Sequence, residues 1–328
     1  MRHRRCGLTC LAWRVADIIP GPVGRYLFRR LLLTLPVLLG VATLVFALIH
    51  LVPGDPAVAM LGDAAAPGDV AELRTRLGLD DSLATQYGHF LGRLAHGDLG
   101  TSFRYGTPVA GEIRQRLGRT AELAIAAMAV AIVIAVPLGI AAALYRGRAI
   151  DQAAMAASLV GISMPNFWLG PLLAIVLAVK WGWLPVSGTG SWTNLVLPAI
   201  TLGAALAAIL ARMTRTSLVD ELRELYVVAA RARGLSTRRA VIAHAFRNSL
   251  IPIVTIIGLQ FGAVLTGTII TETIFAWPGV GRLLIQAITF RDYPLVQGCI
   301  MFISVTYVAM NLLVDLAYAW LDPRIRYQ

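Results

Sequence analysis

Six apolar runs decide what this chain can fold into: Leu31 to Val52, Leu123 to Tyr145, Ala153 to Val179, Leu195 to Ala211, Leu250 to Thr271 and Tyr293 to Val314. A hydrocarbon core about 30 Å thick takes roughly 20 apolar residues in a helix, so each run is a span. The fourth is shortest and extends to Thr193 or Arg212. His50, Glu122, Glu272 and Asp315 stand near run ends, and no carboxylate lies near a middle. Only 14% of the 328 residues are charged and 57% are hydrophobic, where a soluble domain carries roughly a quarter charged. The expected fold class is an all-α integral membrane protein with six transmembrane helices.

Arginine placement orients these spans, because cytoplasmic connections collect positive charge. Arg25, Arg29 and Arg30 flank the first run, Arg146 and Arg148 follow the second, and Arg324 and Arg326 end the chain. Eight arginines lie between Arg212 and Arg247, whereas the third-to-fourth connection holds only Lys180. Both termini are therefore expected inside, and the stretch from Pro53 to Arg119 outside. The expected organisation is a disordered cytoplasmic leader over 1–24, a first span over 25–52 and an extracytoplasmic loop region over 53–119. A core over 120–322 follows, with a cytoplasmic coupling loop at 212–249 and a tail at 323–328. The first run is too long for the apolar part of a signal peptide, and "HLVPGDP" offers no small-residue cleavage site, so it reads as a retained helix. Val23 is an alternative translation start.

The net charge of +11 invites a nucleic-acid reading, but the arginines sit in the gaps between spans, and no nucleic-acid partner is expected. Cys6, Cys10 and Cys299 form neither a disulfide framework nor a zinc spacing. A P-loop needs Gly-Lys-Ser/Thr, and Lys180 in "AVKWGWLP" is the single lysine, so the chain is not itself a P-loop ATPase. No G-x-S-x-G elbow or paired histidines suggest an enzyme. The lack of a carboxylate inside the spans argues against a proton-coupled carrier, which needs a buried ionisable relay.

Small residues recur at four-residue spacing in three spans: Ala127, Ala131, Ala135, Gly139 and Ala143; Gly203, Ala207 and Ala211; Gly258 and Gly262. In lipid such ladders let helices approach closely, within the chain or against a partner subunit. Pro36, Pro137, Pro165, Pro171 and Pro198 interrupt the spans and favour kinks.

The stretch "VVAARARGLSTRRAVIAHAFRNSLIP", 227–252, is the most informative connection. A helix is expected from Glu221 to Arg233 with Leu222, Leu225, Ala229 and Ala232 on one side. Gly234 stops it, Ser236 caps a second helix, and Val241, Ile242, Ala245 and Phe246 form that helix's apolar side. An amphipathic element on anionic lipid is one reading. The small residues Ala229 and Ala230 beside a tight turn suit another protein's groove better.

"ARARGLSTRRAVIAHAFRNSLIPIVT" resembles the coupling loop of ATP-binding-cassette importer permeases, whose pattern is Glu-Ala-Ala, three residues, then Gly. Here Val228 stands in the glutamate position, a loss common in the peptide branch, followed by Ala229, Ala230 and Gly234. "RYLFRRLLLTLPVLLGVATLVFALIHLVPGDPA", "LGLDDSLATQYGHFL", "GDLGTSF", "ETIFAWPGVGRLL", "RDYPLVQG" and "NLLVDLAYAWLDPRIR" resemble the first permease subunit of dipeptide and oligopeptide importers, across Gly24 to Gln328. "TLGAALAAILARMTRTSLVD" and "GLQFG" look closest to the glutathione-importing members. The resemblance implies a type I permease of the bacterial inner membrane, working with a second homologous permease, one or two ATPase subunits and an extracytoplasmic substrate-binding protein. It implies ATPase coupling through Ala229, Ala230, Arg231, Arg233, Gly234, Ser236 and Arg239. It places ATP and Mg on the partner subunits, with no cofactor bound by this chain. The loop 53–119 and "ETIFAWPGVGRLL" would face the binding protein. The alternative is a passive pore without ATPases, which would have no need of a docking helix.

Overall fold

A computed structural model describes residues 22–51, 56–61, 66–76 and 78–321. The expected tail, 323–328, and most of the expected leader lie outside these residues. The chain divides into two compact units, Met1–Gly100 with Ile300–Gln328, and Thr101–Cys299.

In the first unit, α1 runs Pro22–Leu51, α2 Pro56–Leu61, α3 Pro67–Arg76 and α4 Leu83–Ala95. Ser82 starts α4, its hydroxyl accepting from the Thr85 amide, which satisfies one of the donors a helix start leaves unpaired. The amphipathic α4 packs on α1 through Phe46, whose ring centroid lies 5.2 Å from that of Tyr87 and 5.7 Å from that of Phe90. Thr43 and Tyr87 share a hydroxyl hydrogen bond of 2.7 Å, and Arg30 pairs with Asp315 at 2.6 Å.

The second unit is built on α5, Val109–Leu144, lying along α8, Thr193–Glu221. The small-residue ladders of the second and fourth spans face each other here. Ala127, Ala131, Ala135, Gly139 and Ala143 are all buried, as are Gly203, Ala207 and Ala211. A Cβ on Gly139 would come 2.6 Å from the Thr214 Cβ, and one on Gly203 would come 2.8 Å from the Ala127 carbonyl. The seam is thus within the chain. Apolar clusters step along it: Leu123 and Leu202 with Trp277, then Ala135 and Leu210 with Ile253, then Ala143 and Leu218 with Val241. Without a hydrophobic drive between helices in lipid, such close packing is what holds them.

Four described helices are long and apolar enough to span a bilayer: α5, α8, α11 at Phe246–Gly267 and α14 at Tyr293–Leu321. The third expected span is not one helix. It is α6, Ala149–Ser163, and α7, Asn166–Leu173 continued by a π-helical turn to Lys180, bent by 104°. Pro165 explains the break, because it pushes Met164 into extended backbone (φ −84°, ψ 116°). Pro36, Pro137, Pro171 and Pro198 stay inside helices. With the bent pair counted once there are five, and α1, whose apolar stretch covers Leu32–Leu48, stands where the first span was expected. That pattern is consistent with six crossings. Lys180, Trp181, Trp183 and Trp192 are exposed after α7, a composition typical of a membrane–water boundary.

The expected boundary at 119–120 falls inside α5, which begins at Val109. The expected loop 212–249 is likewise shorter, because α8 continues to Glu221 and α11 starts at Phe246.

Candidate functional site

Between α8 and α11 lies a helix–turn–helix built from the basic stretch. After α8 the chain turns at Leu222–Glu224, with Glu224 extended (φ −66°, ψ 142°), and re-enters a helix as α9, Leu225–Ala232. This break corrects the single helix expected over Glu221 to Arg233. It also resets the helical phase. Val227 becomes the buried residue of α9, while Leu225 is 83% exposed and Ala229 and Ala232 face outward.

The end of α9 follows backbone geometry closely. Gly234 has φ +90°, the Gly234 amide donates to the Arg231 carbonyl at 3.0 Å, and the Leu235 amide donates to the Ala230 carbonyl at 3.3 Å. These two bonds make a Schellman ending, in which glycine tolerates the left-handed position. Ser236 then precedes α10, Thr237–Ala240, which runs through a π-helical turn, Val241–Ala245, into α11. The expected apolar side is present in Ala240, Val241 and Ala245, all buried, with Phe246 packed against them; the side chain of Ile242 lies outside the described set.

Of the residues expected to couple, Ala229, Arg231, Arg233, Gly234, Ser236 and Arg239 are exposed and Ala230 is half-buried. All seven belong to one short segment whose other side is fixed by Val227, Val241 and Ala245 against Ala143, Leu218 and Val219. Leu225 and Val228 are exposed beside these small residues, with Arg231, Arg233 and Arg239 exposed around them. Among the described residues no group of three or more His, Cys, Asp and Glu is placed to hold a metal ion.

A second polar cluster was not foreseen from sequence. "ETIFAWPGVGRLL" holds the end of α12, Ile269–Ile274, a turn, and the start of α13, Val280–Thr289. Its Glu272 is fully buried, and its carboxylate accepts from the Thr120 hydroxyl at 2.7 Å, the Thr268 hydroxyl at 3.0 Å and the Arg282 amide at 3.0 Å. Thr120 in turn accepts from the Val280 amide at 2.9 Å, and the Trp277 indole donates to the Arg119 carbonyl at 2.8 Å. A buried acid persists only when its oxygens are satisfied in this way. The stretch expected to meet a binding protein turns its Glu272, Phe275, Trp277 and Val280 inward and exposes Thr273, while Ile285 and Ile288 are exposed just beyond its end. "GDLGTSF" joins "RDYPLVQG" similarly. The buried Asp292 accepts from the Ser102 hydroxyl, from the Phe103 amide at 3.2 Å and from the Arg104 amide at 3.1 Å. The signal available in sequence was the closely spaced pair Gly279 and Gly281, and in the fold both pack against the Glu272 carboxylate.

Among the described residues, these helices and seams define a multi-pass, helical membrane protein. Residues 135–327 match the family model described as "binding-protein-dependent transport system inner membrane component", and residues 23–124 match the N-terminal model of the same systems. The chain belongs to this family and is a permease subunit of an ATP-binding-cassette importer. The glutathione transport system permease protein GsiC of Salmonella choleraesuis (strain SC-B67) is 45% identical over 303 residues, covering 92% of this chain and 99% of that protein. GsiC of Escherichia coli (strain K12) is 44% identical with the same coverage. In fold, an inward-facing MetNI methionine ABC transporter chain has a TM-score of 0.54 at 15% identity, over 64% of this chain and 96% of its own. A chain of an amino acid ABC transporter crystallised with histidines gives 0.52 at 15% identity, over 64% and 94%. Family membership does not favour the passive pore.

Proposed function

We propose that this subunit moves short peptides, glutathione foremost, inward across the bacterial inner membrane, driven by separate ATPase subunits that dock on α9 and the turn at Gly234. The observation that carries the docking site is the exposed Ala229–Gly234 surface standing on a buried base. The extent of the likeness to GsiC supports the cargo. In this reading Arg231, Arg233, Ser236 and Arg239 rim the contact, and Ala229, Ala230 and Gly234 allow close approach of the partner. The arginine bias of the 212–247 segment supports a cytoplasmic position for it, with both termini on the same side.

ATP and Mg then belong to the partners. ATP binding closes the ATPases on each other, and α9 carries that displacement into α8 and α11. Access alternates because each nucleotide state favours one of two packings. A second homologous permease completes the pathway, and an extracytoplasmic binding protein delivers the cargo. The test is ATP hydrolysis by the reconstituted complex. Glutathione or related short peptides, presented by the binding protein, should stimulate it severalfold; stimulation by unrelated solutes alone would contradict the cargo assignment.

A further inference from the structure

We infer that Tyr226 is the positioning residue that ties the docking helix to both neighbouring spans, to α8 through Glu221 and to α11 through Asn248. This rests on the proposal that α9 receives the ATPase. The Tyr226 hydroxyl donates to the Glu221 carboxylate, and it accepts from the Asn248 side-chain amide at 2.9 Å. Glu221 is the last residue of α8 and Asn248 is the third of α11. Three helices therefore meet at one phenolic oxygen, which uses its single proton on the acid and a lone pair on the amide.

The two kinds of contact under α9 differ in what they transmit. Val227 and its neighbours hold the helix by apolar contact, which is non-directional. The bonds at Tyr226 have fixed lengths and directions, and the one to a carboxylate is charge-assisted and so the stronger. A displacement of α9 in either sense must therefore carry Glu221 and Asn248 with it or break those bonds. Although the residue is 38% exposed, partial desolvation and the bond to Glu221 push the phenol up to about 12. It keeps its proton throughout the neutral range.

The experiment uses the complete importer in proteoliposomes with a labelled mixture of short peptides, glutathione included, and reads uptake per ATP hydrolysed. Tyr226→Phe should lower that ratio severalfold while the ATPases still co-purify. Asn248→Ala should lower it less, and Glu221→Gln, which keeps an acceptor, should restore the native ratio that Glu221→Ala loses. A native ratio in both Tyr226→Phe and Asn248→Ala, with Gly234→Trp uncoupled, overturns the inference and leaves the docking proposal standing. A native ratio in Gly234→Trp as well overturns the docking proposal itself. If Tyr226→Phe fails to accumulate, Asn248→Ala, which lies outside α9, decides by the same ratio.

Discussion

A Cβ added to Gly279 would come 2.1 Å from the Glu272 carboxylate, whereas one added to Gly234 would meet nothing within 4 Å. Both residues are glycine, for opposite reasons. Around Gly279 the space is already full of the chain's own atoms, and glycine is required by contact. At Gly234 glycine is required by backbone, φ +90°, and the space beside it is open. The first region is finished by folding. The second leaves its outward face exposed while its inward face is packed against Ala143, Leu218 and Val219. A single sequence symbol thus marks a closed clasp in one place and an available surface in the other, and only the surroundings separate them.

Substitutions can break or sharpen this contrast. The largest effect is expected for Gly279→Val, because the added atoms have only a buried carboxylate to displace; the yield of folded, detergent-soluble subunit should fall almost to nothing. Glu272→Ala comes next. It leaves the Thr120, Thr268 and Arg282 donors without their acceptor, at a cost on the order of 3 kcal/mol, read as a clear drop in the thermal unfolding midpoint of the purified complex. Gly139→Val should overfill the α5–α8 seam beside Thr214 and cost about 1–3 kcal/mol, seen in the same melt. The smallest folding effect is expected at the open glycine. Gly234→Ala adds only backbone strain of about 1 kcal/mol, and Gly234→Asn less, since asparagine adopts the left-handed region more readily. Folded yield of both should match the native chain. If Gly234→Ala lowered yield as far as Gly279→Val, the distinction between the two glycines would be wrong.

Much of this was legible in sequence where the signal is periodic or local. The apolar runs carry the spans, the four-residue ladders carry the α5–α8 seam, and Gly234 after two arginines marks the end of α9. The reading of α9 itself slipped by one element. A three-residue turn after Glu221 resets the helical phase, and a turn without glycine or proline leaves no periodic trace. The bend at Met164 was visible only as a proline among several, four of which sit inside helices without ending them. Least legible were the pairs that close over long separations, Thr120 with Glu272 and Ser102 with Asp292. Nothing in the spacing of a hydroxyl and an acid more than a hundred residues apart links them. Glu272 read as a boundary acid for that reason, although the fold buries it completely. Tyr226 was silent in the same way, because its partners lie on two other helices.

The central claim is that the exposed face of α9 is where the ATPase sits, and Ala229→Trp tests it without touching the turn. Ala229 is exposed and helical, so the variant should fold and insert at native yield. The measurement is ATP-driven peptide uptake by the reconstituted complex, with ATPase retention read on the same preparation. At least a tenfold fall in uptake, with the ATPase lost or uncoupled, is the expected result. Native uptake by Ala229→Trp at native yield would contradict the account.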